Sequence, residues 1–116
     1  MPEIHAARRA RAQQKLADRG VDAALITSLV NVRYLTGLAS SNAALLLPVA
    51  GTAVLATDSR YEETARRDAP DTELVSERFI APALASLAAA RELGIVGLHF
   101  SSAAQLRRDL QALGVV

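Results

Sequence analysis

The sequence predicts an α/β fold, a mixed β-sheet with helices on both faces, and three observations carry that expectation. Short apolar runs alternate along the chain with segments whose apolar residues recur at helical spacing. The runs are continuously apolar, as strands covered on both faces are. Two of them, 43–49 and 52–57, are separated only by Ala50-Gly51, which reads as a β-hairpin and makes the sheet mixed rather than all parallel.

Taken in order, residues 3–19 read as a helix with a thin apolar stripe at Ile4, Ala12 and Leu16, closed by Gly20. Arg8, Arg11, Lys15 and Arg19 share one side of it. A phosphate-binding face is conceivable there, but a solvated outer face is the preferred reading. Residues 23–27 form a buried strand. The next segment, 31–38, reads as a connection: an Asx-type turn at Asn31 redirects the chain, and Thr36-Gly37 turns it again through a positive φ. The hairpin follows, with Gly51 in its turn. Ser59 and Glu62 have the spacing of a capping box. The helix they open carries Glu62–Arg66 and Glu63–Arg67 at favourable spacing, an inner stripe of Tyr61, Ala65 and Ala69, and a stop at Pro70.

Residues 72–76 read as a strand. Pro82 suits the first position of a helix that runs to Leu93 and stops at Gly94. Residues 95–99 are a further strand. Ser102 and Gln105 form a second capping box, opening a helix with Leu106, Leu110 and Leu113 on one side and Gly114 at its end. Val115-Val116 then begin what reads as another strand, so the domain, 1–116, is expected to be truncated before its last strand.

Composition bounds the function. A chain of 116 residues is one domain, burying roughly 60–70% of its unfolded surface. Its hydrophobic content is 51% but its aromatic content only 3%, so the core must be aliphatic and rich in Ala. A net charge of +1 sets up no field for nucleic acid or an anionic membrane. No cysteine is present, which removes disulfides, thiolate metal sites and a nucleophilic thiol. The N-terminus lacks the apolar core of a signal peptide. The longest apolar run, 43–50, falls far short of the ~20 residues of a membrane span, and the chain is expected to be cytoplasmic.

The residues that chemistry would need are missing. The two histidines, His5 and His99, make no His-x-x-x-His or His-Glu-x-x-His pattern, and the acids are scattered and mostly near Arg. The six glycines build no nucleotide-binding loop. Ser40-Ser41 has no nucleophile elbow around it. No catalytic and no metal-binding residue is therefore assigned. Tyr34 allows two readings: a plug at the sheet edge, or a rigid anchor that lets the following loop reach a ligand.

Two motifs, Asn31-Val32-Arg33-Tyr34-Leu35-Thr36-Gly37-Leu38 and Thr57-Asp58-Ser59-Arg60-Tyr61, in this order and separated by a hairpin, resemble the N-terminal domain of the creatinase, prolidase and Xaa-Pro aminopeptidase family. The motif residues Asn31, Tyr34, Gly37, Asp58, Arg60 and Tyr61 are expected to be structural. The resemblance implies a ribonuclease H-like mixed sheet preceding a catalytic "pita-bread" domain that lies outside this chain. That domain would hold two divalent metal ions (Mn, Co or Zn), and this chain would hold none. Creatinase places aromatic and Arg side chains in the loop after the Tyr-x-x-Gly motif. Here the loop, 38–42, is short and uncharged, which favours a peptidase. The resemblance thus implies a non-catalytic domain of a Xaa-Pro aminopeptidase or prolidase-like enzyme. Its partners would be its own catalytic domain, a second subunit in a homodimer and a proline-containing peptide. Its role would be to assist oligomerisation and close the substrate cleft. Arg33, Ser40 and Asn42 are the substrate-proximal candidates, the last two on the loop 38–42, which is expected to project from the sheet. The alternatives are an assembly domain of a catalytically dead relative, or a stand-alone peptide- or small-molecule-binding module.

Overall fold

The structure, a computed structural model, describes residues 2–91 and 95–98. The expectations placed on Gly94, His99, the Ser102–Gln105 box, the helix of Leu106, Leu110 and Leu113 with its stop at Gly114, and Val115-Val116 lie outside the described residues. Within them the order is α1 (Pro2–Asp18), β1 (Ala23–Ile26), α2 (Leu29–Thr36), β2 (Ala43–Pro48), β3 (Val54–Thr57), a 3-10 turn (Ser59–Tyr61), α3 (Glu62–Asp68), β4 (Glu73–Ser76), α4 (Ile80–Ala90) and β5 (Ile95–Leu98). The strands form one sheet in the order β4-β3-β2-β1-β5. β2 runs antiparallel to both β1 and β3, whereas β1–β5 and β3–β4 are parallel, so the sheet is mixed.

Helices cover both faces because the strands are apolar on both. Along β2 the side chains alternate: Ala43, Leu45 and Leu47 join a core with Ala12 and Leu16 of α1, Val32 and Leu35 of α2 and Ala65 of α3. Ala44 and Leu46 point the other way, into a core with Ile80, Leu84 and Ala88 of α4. Leu45, Leu46 and Leu47 are fully buried, and each contributes about 1.5–3 kcal/mol relative to exposure. Alanine at so many contact positions lets the helices lie close to the sheet, so the core fills without large aromatic side chains.

α1 ends as the sequence indicates. Gly20 has φ 68°, its amide bonds the Ala17 carbonyl and the Val21 amide reaches back to Leu16. This is a Schellman ending, with Val21 packed on the core that contains Leu16. The stripe differs, however: Ile4 is exposed, and Arg9 joins Ala12 and Leu16 as the buried residues of α1.

The segment 31–38 is the main correction. It is not an Asx-type turn but contains most of α2, an eight-residue helix. A helix this short is marginal by itself; Val32 and Leu35 anchor it in the core, and donors around its end satisfy its carbonyls. The Thr36 hydroxyl donates to Val32 O (2.6 Å) and the Gly37 amide to Arg33 O (2.8 Å). Tyr34 O accepts from Arg8 (3.0 Å) and from His5 Nδ1 (3.2 Å), and Leu35 O from Arg9 (2.7 Å). Side-chain donors from α1, two of them arginines, thus cap the negative end of α2. Arg8 is therefore not merely part of a solvated face; its guanidinium lies 4.3 Å from the Tyr34 ring centroid. Buried Arg9 also pairs with Asp71 at 2.5 Å.

Three smaller differences have local causes. The ladder between β2 and β3 ends at Leu46 and Val54, so the hairpin connection is wider than Ala50-Gly51, though Gly51 keeps its positive φ of 94°. Glu62–Arg66 and Glu63–Arg67 do not pair: exposed pairs contribute little, and Arg67 bonds Asp68 instead. α4 begins two residues early, which places Pro82 third in the helix, still within the first turn where a missing N–H costs no hydrogen bond.

Candidate functional site

A cleft of about 650 Å³ lies at the carboxyl ends of β3 and β4. The topology makes it. β3 and β4 are parallel neighbours, but the chain leaving β3 passes to α3 on one face, and the chain leaving β4 passes to α4 on the other. Loops that diverge to opposite faces leave a crevice between them, the usual place for ligands in open α/β sheets. Asp58 and Arg60 come from the first loop, Glu77, Arg78 and Phe79 from the second, and Asn42 from the segment entering β2.

Asp58 organises the near wall. It caps the 3-10 turn by accepting from the Arg60 amide (3.1 Å), and it also binds the Arg60 side chain through Nε (2.9 Å) and Nη2 (2.7 Å). The hydrogen bond from Arg60 holds the Asp58 carboxyl well below the usual carboxylate range; partial burial opposes it and a bond from Asn42 Nδ2 (3.2 Å) assists. The Arg60 guanidinium is raised in return. Asp58, not Ser59, is thus the capping residue, because the chain first makes a 3-10 turn and α3 begins only at Glu62, without a side-chain cap.

The loop 38–42 does not project. Leu38 is buried in the core. The Ser40 hydroxyl bonds the Asn42 carbonyl (2.9 Å), accepts from the Asn42 amide (3.0 Å) and lies 3.3 Å from the Thr57 hydroxyl, which itself donates to Asn42 O. Ser41 shares a hydrogen bond with the Tyr61 hydroxyl (2.8 Å), which lowers the Tyr61 phenol. The loop is folded back onto the end of β3, held by its own polar side chains.

The sequence candidates therefore separate. Asn42 lines the cleft with Asp58 and Arg60. Ser40 lies behind it, committed to the loop's internal bonds. Arg33 is on the exposed side of α2 and is not part of the cleft. Tyr34 is half-buried against the core, closer to the plug than to the ligand-facing anchor. Asn31 is fully buried, and neither atom of its carboxamide has a hydrogen-bond partner among the described residues. Gly37, at φ 80°, lies under the His5 ring. No motif marks Glu77, Arg78 and Phe79; the signal for them is the polar Ser76-Glu77-Arg78 stretch directly after a strand, meaningful once that strand is known to run parallel to β3.

Among the described residues no three His, Asp or Glu side chains converge on a point where a metal ion could be held. They do not fit the pair of divalent ions that the resemblance implies for the whole enzyme. No helix among them is long and apolar enough to cross a membrane.

Comparison with known proteins places this arrangement. The family model described as the creatinase/prolidase N-terminal domain matches residues 8–114. Among solved structures, the N-terminal domain of the cytoplasmic peptidase PepQ from Mycobacterium tuberculosis H37Rv is 43% identical, over 78% of this chain and 72% of that one, with a TM-score of 0.75. An Xaa-Pro aminopeptidase from Streptococcus pyogenes is 26% identical over 97% of this chain and 87% of that one, TM-score 0.77. An X-Pro aminopeptidase from Thermotoga maritima is 27% identical over 91% of this chain but only 31% of that one, TM-score 0.66. No curated protein matches the chain in sequence.

Proposed function

This chain belongs to the creatinase/prolidase N-terminal domain family, and from that premise we propose that it is the non-catalytic N-terminal domain of a cytoplasmic, metal-dependent Xaa-Pro peptidase. In this reading it pairs with a C-terminal catalytic domain and a second subunit, and helps close the cleft in which a proline-containing peptide is held. The two divalent ions and the hydrolytic step belong to the catalytic domain; nothing in this chain takes part in bond cleavage.

The observation that carries the proposal is the clamped loop 38–42. Its serines are used to fix it onto β3 and Tyr61, and only Asn42 faces the cleft. A rigid rim with one amide on its surface suits orientation of a peptide and exclusion of water; it does not suit proton transfer or nucleophilic attack. The similarity to X-Pro aminopeptidases supports the choice of peptide.

The test separates the chain from its parent. The purified 116-residue chain is expected to cleave no Xaa-Pro peptide when Mn²⁺ or Co²⁺ is supplied, and the parent protein is expected to cleave them and to lose that activity to a chelator. Turnover by the rigorously purified chain, or a parent inert in every metal, would overturn the proposal.

A further inference from the structure

β4 is an edge strand, hydrogen-bonded to β3 and to no other described strand. In a parallel pair every second residue turns its N–H and C=O toward the neighbour, and those between turn theirs away. The amides of Glu73 and Glu77 donate to Ala53 O (2.9 Å) and Thr57 O (3.0 Å). Leu74 and Ser76 must then present their main-chain groups to the other side, where no described strand lies. This edge contains no proline; Leu74 and Val75 are partly buried against the two cores, and Glu73 and Ser76 are exposed. At its start it is guarded by the Glu73–Arg91 pair at 3.2 Å. At its other end Ser76 leads directly into the cleft. There the Arg78 guanidinium lies 5.7 Å from the Phe79 ring centroid and makes no ion pair among the described residues, and Phe79 is 72% exposed.

We propose that the open edge of β4 and the cleft at its end form one docking groove for an extended peptide. The peptide adds to the sheet as a further strand through Leu74 and Ser76, lays an apolar side chain on Phe79 and ends with its terminal carboxylate on Arg78. Because Arg78 lies beyond the carboxyl end of β4, the peptide runs parallel to β4. Main-chain pairing supplies affinity without regard to sequence, and the pocket at the end supplies selection.

The charges define the ligand. Asp58 is neutralised by Arg60, and Glu77 balances Arg78, so the cleft has no net field for a polyanion; it offers a single guanidinium to a single carboxylate. A second copy of the chain fits poorly. Two-fold pairing centred on Val75, the register that engages Leu74 and Ser76 of both strands, sets Glu73 opposite the Glu77 of the other copy. The occupant is the trailing, carboxyl-terminal part of a peptide substrate, an identification that rests on the peptidase reading above.

The experiment is an NMR titration of the ¹⁵N-labelled 116-residue chain with the peptide Ala-Pro-Ala-Val-Val. The same peptide is also titrated with its carboxylate amidated and with an N-methyl group on either of its last two residues. The groove predicts saturable binding that shifts the Leu74 and Ser76 amides. Amidation is expected to weaken it at least about fivefold. One N-methyl peptide should bind at least about tenfold more weakly and the other nearly normally, because only alternate amides face β4. Arg78→Ala is expected to weaken the carboxylate peptide and leave the amide unchanged. No saturation at millimolar peptide, equal affinity of acid and amide, or equal loss from both N-methyl peptides would overturn the groove. The titration needs no catalytic domain. Normal binding beside a parent that hydrolyses no Xaa-Pro bond would leave the groove standing and remove only its assignment to a substrate.

Discussion

Gly37 concentrates two constraints on one residue. Its φ of 80° is left-handed, and a Cβ built on it would stand 2.8 Å from the His5 ring. That ring is not free to swing away, because its Nδ1 is bonded to Tyr34 O. Gly37→Ala is expected to destabilise the domain by about 1–3 kcal/mol, measured from denaturant midpoints. Adding His5→Ala should recover the steric part and leave the backbone part. A double variant no more stable than Gly37→Ala would remove the His5 contact from the account. The positive φ was legible from Thr36-Gly37, since only glycine adopts it freely. The contact with His5 was not, because it joins residues far apart in the chain through the packing of α1 on α2. Arg9 was missed for the same reason: its burial depends on finding both Leu35 O and Asp71, and one sequence position carries no mark of either.

At the scale of elements, strands and long helices were legible because their patterns are local, whereas α2 was not. Its eight residues show no clean apolar period, and its carbonyls are satisfied by side chains of α1. The turn before α3 was misassigned to Ser59 because Asp58 makes the same kind of cap one residue earlier. That turn gives a pH signature. The Asp58 carboxyl is lowered from 3.8 by Arg60, so its folded form binds a proton less readily than its unfolded form. The resulting stability is present above the unfolded value and is lost as pH falls through the folded one, well below it. The stability difference between the wild type and Asp58→Asn, followed by urea denaturation, should be flat over roughly pH 5–8 and should narrow below about 4. A difference that persists unchanged to pH 2.5 would mean that the Asp58–Arg60 pair does not form. The cleft itself was only half legible. Asn42, Asp58 and Arg60 lie in motifs, but Glu77, Arg78 and Phe79 join them only because β3 and β4 are parallel and their loops diverge.

For the whole molecule, the described residues pack a core on each face of a five-stranded sheet and present a cleft without a metal-binding cluster. Fold class was legible from alternating apolar runs; the family was legible only from the order of two motifs, and the match of residues 8–114 to the creatinase/prolidase N-terminal domain shows it. In the proposed function the domain acts on peptide turnover through the rim held by the loop 38–42, without contributing to bond cleavage. The most direct measurement is kcat/KM of the parent enzyme and its Asn42→Ala variant, on short and long Xaa-Pro peptides, with folding and oligomeric state verified. Loss of one hydrogen bond to substrate corresponds to about 0.5–1.5 kcal/mol. A roughly two- to tenfold fall in kcat/KM is therefore expected, together with unchanged metal content. Values for both substrates equal to those of the wild type would contradict it.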